Sequence, residues 1–255
     1  MSETAPQIIP GAEPYSAAGD GTGVLVIHGF TGSVGSMRSL AEAFAASGRT
    51  VEAPRLPGHG TRVEDMLDKT WDDWTAAVDE AYRQLAARVD RVFVAGLSMG
   101  GSLTLWLALH HPEIAGIICV NPATRTNPDV LALIEAEVAA GKELMDGIAS
   151  DIAKEGVDEI AYAETPLRPL LSLMRAADDL SHRLGEIEVP LILFNSPQDH
   201  VVDPGDSDFL AQSVSGPVER VTLPNSYHVA TQDHDAPLIE EKAVEFVNRL
   251  SGGDR

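Results

Sequence analysis

The stretch Arg91-Val-Phe-Val-Ala-Gly-Leu-Ser-Met-Gly-Gly101 carries the decision about the fold. Its first five residues form a short apolar run of the kind that fills a buried parallel strand. Residues 101–111 that follow are helical in character, and Pro112 ends them. Between the two lies Gly96-Leu-Ser-Met-Gly100, a turn so sharp that its first and last positions need small residues. Such a turn lifts the Ser98 hydroxyl to the carboxyl edge of a sheet. The helix starts directly behind Ser98, so its first amides and its dipole face any negative charge that develops there.

Around this unit the same alternation repeats. Strand-length runs at Val24-Leu-Val-Ile27, Thr50-Val-Glu-Ala53, residues 114–120, Leu191-Ile-Leu-Phe194 and Glu219-Arg-Val-Thr-Leu223 alternate with longer helical segments. The pattern predicts an α/β chain, a mostly parallel sheet with helices on both faces. Residues 36–47 predict a helix with Met37, Leu40, Ala43 and Phe44 on one face and Gly48 as its stop. Thr70 and Asp73 stand at capping-box spacing, and Trp71, Trp74, Val78, Ala81 and Leu85 form the stripe behind them, which puts both tryptophans in the core. The last helix, residues 236–250, turns Ile239, Ala243, Phe246, Val247 and Leu250 inward, and residues 252–255 are expected to fray. The alternation stops at Asn121 and resumes near Val189. In that interval three groups recur at helical spacing: Leu131, Ile134 and Val138; Leu144, Ile148 and Ile152; and Leu170, Leu171, Met174, Ala177 and Leu184. Three or four short helices are expected there. The expected division is an α/β core of residues 1–124 and 185–255 with a small helical cap inserted at 125–184.

Composition narrows the function classes. The 255 residues are 44% hydrophobic and 22% charged, enough for one sizeable core and against disorder. Eighteen Lys and Arg against 39 Asp and Glu give a formal charge of −21, which repels phosphate backbones and disfavours nucleic acid as a partner. Residues 1–7 have neither a basic nor an apolar signal region, and no run reaches about 18 apolar residues. A soluble, cytoplasmic protein without a transmembrane segment is expected, with peripheral lipid contact through a local apolar patch compatible with its net charge. Cys119, the single cysteine, sits in an apolar run and is expected to be buried and inert. No Walker lysine, His-Glu-x-x-His or cysteine pair is present, and Gly19-Asp-Gly-Thr-Gly23 precedes a strand where a dinucleotide loop would follow one. Neither metal nor cofactor is expected.

A serine at such a turn is a poor nucleophile alone and calls for an acid and then a histidine downstream. Asp199 follows the strand 191–194 by five residues, and His228 follows the strand 219–223 by five. Both fall at carboxyl strand ends, where an α/β sheet gathers its reactive groups. Asp203 is the alternative acid, but Asp203-Pro-Gly reads better as the start of the next helix. His234, between Asp233 and Asp235, reads as a solvated residue near a helix start, and His110, His111, His182 and His200 show no partner pattern. The loop His28-Gly-Phe-Thr-Gly32 has glycines that permit close backbone approach, so the Phe30 N–H is the expected companion of the Met99 N–H around a developing oxyanion, with His28 structural.

Together these residues resemble the α/β-hydrolase family, and within it the bacterial carboxylesterases and monoacylglycerol lipases with a small helical cap. The motifs that carry the resemblance are His28-Gly-Phe-Thr-Gly32, Pro57-Gly-His-Gly60, Gly96-Leu-Ser-Met-Gly-Gly101, Asp199 followed by Val202, and His228-Val229. It implies Ser98, Asp199 and His228 as a catalytic triad, Phe30 and Met99 as the oxyanion hole, and a structural His59. The loop lacks the His-Gly-Gly-Gly run of the hormone-sensitive-lipase branch, and a serine at position 98 disfavours the dehalogenases and epoxide hydrolases, which place an aspartate there. The implied activity is hydrolysis of carboxylic esters of short to medium acyl chains, monoacylglycerols among them, acting on a small neutral substrate. Thioesterase, aminopeptidase, acyltransferase and carbon–carbon hydrolase chemistry use the same triad, and a non-enzymatic ligand-binding member is the rival from another class. Met145, Leu170, Leu171 and Met174 are expected to wall the acyl pocket, while Glu135, Glu137, Glu143, Asp151, Glu155, Asp158 and Glu159 make the cap acidic and unfavourable to anions.

Overall fold

The computed structural model describes residues 6–148 and 150–252. The expectations for residues 1–5 and for fraying at 253–255 lie outside the described residues. In chain order the strands are β1 (Tyr15–Ala17), β2 (Thr22–Ile27), β3 (Thr50–Ala53), β4 (Arg91–Leu97), β5 (Gly116–Val120), β6 (Leu144–Asp146), β7 (Glu164–Pro166), β8 (Leu191–Asn195) and β9 (Val218–Thr222). The helices are α1 (Arg38–Ala46), α2 (Trp71–Ala86), α3 (Met99–His110), α4 (Pro128–Ala139), α5 (Leu167–Ser181), α6 (Gly205–Ser213) and α7 (Ala236–Ser251). Seven strands make one sheet in the order β1-β3-β2-β4-β5-β8-β9, parallel except for β1.

The expected parallel sheet is present because its central strands are apolar on both faces. Every residue of β2, β5 and β8 is buried. Edge strand β9, Val-Glu-Arg-Val-Thr, keeps its charges in solvent, which protects the open edge. One face packs on α1 and α7 through Phe44, Ile118, Phe194 and Phe246; the other packs on α2, α3 and α6 through Val78, Leu103, Ile117 and Leu210. Trp74 is wholly buried, as the stripe on α2 predicts, while Trp71, at the first position of the helix, is only half-buried against the same cluster. The Thr70 N–H donates to the Asp73 carboxylate at 2.8 Å, so the shorter acid does close the cap. Cys119 is buried in β5, and that burial pushes its thiol pKa up.

Register places the site. Ile27 pairs with Gly96, Leu97 with Val120, Val120 with Phe194 and Asn195 with Thr222. The loops that leave β2, β4, β5, β8 and β9 therefore rise side by side from one edge of the sheet.

The interval between β5 and β8 differs from the all-helical expectation. It holds α4, α5 and an antiparallel pair, β6 with β7. Leu144, Ile148 and Ile152 share no helix: Leu144 is in β6 and Ile148 is exposed. Glycine chemistry explains the departure. Gly141 closes α4 with a positive φ of 86°. Gly147 runs so close to the β7 side that an added Cβ would lie 2.7 Å from the Ala163 carbonyl oxygen. Leu184 likewise leaves α5, which ends at Ser181, and sits in a 3-10 turn over Leu184–Glu186. Helix α5 is amphipathic and packs against α2, α3 and α4, which roots the interval on the core. No described helix is long and apolar enough to cross a membrane.

Candidate active site

Ser98 occupies the turn between β4 and α3 with φ 56° and ψ −120°, a strained conformation for a residue with a Cβ. The turn can be this tight only because its flanks are glycines. A Cβ at Gly96 would lie 2.0 Å from the Gly100 carbonyl oxygen, and one at Gly100 would lie 2.2 Å from that of Ile27. The Ser98 N–H donates to the Val120 carbonyl at 3.0 Å, which seats the turn on the neighbouring strand. The loop after β2 passes directly over it: a Cβ at Gly29 would meet the Ser98 Cβ at 3.4 Å and its Oγ at 4.0 Å. The backbone N–H groups of Phe30 and Met99 have no acceptor among the described residues, and the second of them is one of the orphan donors that open every helix. The Phe30 ring is wedged edge-on to Trp74 at 5.8 Å and His59 at 6.4 Å between centroids.

The loops after β8 and β9 bring the other two groups together. The Asp199 side chain is 2% exposed, and its Oδ2 takes the Nδ1–H of His228 at 2.7 Å. Its Oδ1 accepts the N–H groups of Val201 and Val202 at 2.8 and 2.9 Å, which holds the carboxylate in one orientation. A carboxylate accepting from Nδ1–H selects the tautomer whose Nε2 is a free base. Asp203 does different work: its Oδ1 accepts the Gly205 N–H at 2.8 Å, at the start of α6. His234 is exposed. His28 is buried, with Nε2 accepting the Leu56 N–H at 3.1 Å and Nδ1–H donating to the Gly29 carbonyl at 2.9 Å; burial pushes its pKa down to about 4. His59 donates to the Pro57 carbonyl at 3.1 Å, and burial lowers its pKa too. Both are neutral packing and hydrogen-bonding elements beneath the loop.

Several residues at this edge were not legible as site residues. Asn121, at φ 42° just past β5, donates to the His228 carbonyl at 2.8 Å and accepts the Ser196 N–H at 2.8 Å, so it couples the histidine loop to the acid loop. The stop in alternation at Asn121 is the one sequence signal that marks it. Tyr162 donates its N–H to the Thr31 carbonyl at 3.0 Å and its hydroxyl to the Gly58 carbonyl at 2.7 Å. Glu159 accepts from the Ser36 hydroxyl, and its burial raises its pKa against the opposing effects of that hydrogen bond and of the nearby His228. His200, without a partner in the sequence pattern, faces Asp151 at 2.8 Å; away from this edge, at the far end of α3, His111 faces Asp79 at 2.6 Å. Met145, Leu170, Leu171 and Met174 gather in one apolar cluster with Ile134 and Leu167; Leu171 is buried, and the other three are half-buried. No group of three or more potential metal ligands occurs among the described residues.

A parallel sheet with helices on both faces, a strained serine between its central strand and helix, and an acid–histidine pair on later strand ends define an α/β-hydrolase. Residues 21–235 match the family described as serine aminopeptidase, S33, and the chain belongs to that family. It is similar to the thermostable monoacylglycerol lipase of Bacillus sp. (strain H-257), with 47% identity over 256 residues, 99% of this chain and 100% of that protein. It is also similar to the carboxylesterase of Bacillus subtilis (strain 168), at 25% identity over 93% of this chain and 97% of that one. A solved structure from work on the metagenome-derived lipolytic enzymes LipS and LipT superposes with a TM-score of 0.92 at 43% identity, covering 95% of this chain and 100% of that chain.

Proposed function

We propose that the protein hydrolyses carboxylic esters of short to medium acyl chains, monoacylglycerols among them, through an acyl-enzyme on Ser98. The observation that carries this reading is the 2.7 Å bond between His228 Nδ1 and Asp199, standing on loops beside a strained Ser98 turn. In the proposed mechanism the His228 Nε2 takes the Ser98 proton as Oγ attacks the ester carbonyl. The oxyanion is held by the Phe30 and Met99 N–H groups. Collapse transfers the proton from His228 to the leaving alcohol; water then repeats the sequence on the acyl-enzyme, releasing the acid. Asp199 fixes the tautomer of His228 and stabilises the imidazolium. Esters are favoured over the amides implied by the aminopeptidase family description because the 47%-identical relative is a lipase and a further relative is a carboxylesterase.

Residues 125–184 act in this reading as a cap on the site, supported by the Tyr162 N–H bond to Thr31 beside Phe30. The half-buried Met145, Leu170 and Met174 then supply apolar surface for the acyl chain, with Leu171 beneath them. The formal charge of −21 favours a neutral substrate, and the cytoplasm is the proposed compartment for a chain whose single cysteine is free.

A fluorophosphonate probe tests the assignment. We expect one adduct by intact mass, mapped to Ser98 by peptide sequencing, and ester turnover that disappears in Ser98→Ala. A label on Ser102 or Ser196, or none on folded protein, overturns the reading.

A further inference from the structure

Asp151 lies in the inserted interval, in the stretch between β6 and β7, and its side chain is only 11% exposed. It faces the catalytic loops, where a cap acid on a solvated surface would not. Its Oδ2 accepts two backbone N–H groups from two different loops, that of His228 at 3.0 Å and that of His200 at 3.2 Å. The first is the proposed base itself, and the second directly follows the proposed acid, Asp199. The other oxygen, Oδ1, bonds to His200 Nδ1 at 2.8 Å, and the His200 ring stands edge-on to Tyr227 at 4.6 Å. The Asp151 carbonyl accepts the Val229 N–H at 3.1 Å. Asp233 makes the converse connection from the core. Its Oδ2 accepts the N–H groups of Tyr227 at 2.9 Å and Ala153 at 2.7 Å, and its Oδ1 that of Lys154 at 2.9 Å.

We infer that Asp151 is a positioning residue that sets the separation of the acid loop and the histidine loop, which makes the inserted segment part of the catalytic frame as well as a cover. The inference rests on the reading of Ser98, Asp199 and His228 given above. Two bonds hold the backbone on either side of the His228 ring to this one residue, from the His228 N–H to the carboxylate and from the Val229 N–H to the main-chain carbonyl, and a third ties the His200 N–H of the acid loop to the same carboxylate oxygen; charged acceptors make the strongest such bonds. A catalytic group must be held to within about 0.5 Å, and misplacement by about 1 Å costs about 10²-fold in rate. Oδ2 alone receives both N–H groups, so a side-chain acceptor held at that one place is what joins the two loops. An asparagine carbonyl oxygen can take the same place, whereas alanine removes it.

The experiment measures kcat and KM on a short aryl ester for the unmodified protein, Asp151→Ala and Asp151→Asn, with the low-field proton resonance of the His228–Asp199 hydrogen bond recorded for each. We expect Asp151→Ala to lose about 10²-fold in kcat with KM little changed and to broaden the resonance, while Asp151→Asn stays within about tenfold and keeps it sharp. Full kcat and a sharp resonance in Asp151→Ala, a loss confined to KM, or an asparagine variant as damaged as the alanine one each overturn the inference. Should Asp151→Ala not fold, Asp151→Glu, which displaces the oxygens by a methylene, takes its place with the same expectation. Absence of ester turnover in the unmodified protein would sink the functional reading alone, because the resonance comparison still decides whether Asp151 orders the pair.

Discussion

Asp199 and Asp203 stand four positions apart on one loop, and their hydrogen bonds separate them. Asp199 turns inward to His228 and is stiffened by two N–H donors, while Asp203 satisfies Gly205 at the start of α6. Replacing Asp199 by Asn keeps the shape but removes the charge that stabilises an imidazolium and selects its tautomer. We expect Asp199→Asn to lower ester kcat by about 10³–10⁴ with an unchanged circular dichroism spectrum. Asp203→Asn keeps a side-chain acceptor near the helix start, so its cost is a few tenths of a kcal/mol in stability at about normal kcat. Steady-state kinetics on both variants check this, and a reversed order would move the acid to Asp203.

Among the elements, the inserted interval has its own small core. Ile134, Leu167 and Leu171 are its buried members, with Met145, Leu170 and Met174 half-buried around them. Such a cluster is too small to stand alone, and α5 leans on α2 and α3 for the rest of its burial. Its half-covered apolar atoms are the surface assigned to the acyl chain. Each added methylene should contribute about 0.8 kcal/mol until the surface is filled. The specificity constant is therefore expected to climb from acetyl toward medium-chain esters, and Met145→Lys or Met174→Lys should flatten the climb while acetyl turnover survives. A chain-length series on the three proteins checks it; a maximum at acetyl, unaffected by either change, would remove the acyl chain from this surface.

For the molecule as a whole, acid is the sensitive direction. His28 is buried and neutral with its pKa at about 4, below the 6.5 of an exposed histidine. Between those values the unfolded chain binds a proton that the native state refuses, so stability is complete above pH 6.5 and is lost as pH falls toward 4. From pH 7 to pH 5 His28 alone accounts for about 2 kcal/mol, and the lowered pKa of buried His59 acts in the same direction. We expect the urea midpoint to fall over that range, and His28→Gln, less stable at pH 7, to show a shallower fall. Equal slopes for the two proteins would contradict the assignment.

The central strands and the Ser98 turn were legible because their causes are local. An apolar run buried on both faces reads the same whatever its neighbours, and Gly96 and Gly100 are demanded by backbone collisions within a few residues of Ser98. Asp199 and His228 were legible as the first suitable groups past two strand ends. What the chain concealed depends on partners far along it. Strand β1 and the pair β6 and β7 have three residues each, too few for a periodic signal, and exist through pairing. Asp151, an unremarkable acid in an acidic segment, meets His228 across 77 positions, and Glu159 meets Ser36 across 123. Hydrophobic patterning selects faces and so specifies the sheet. The partner of a carboxylate depends on which loops the finished sheet sets side by side, and that was decided only once the strands had taken their order and register.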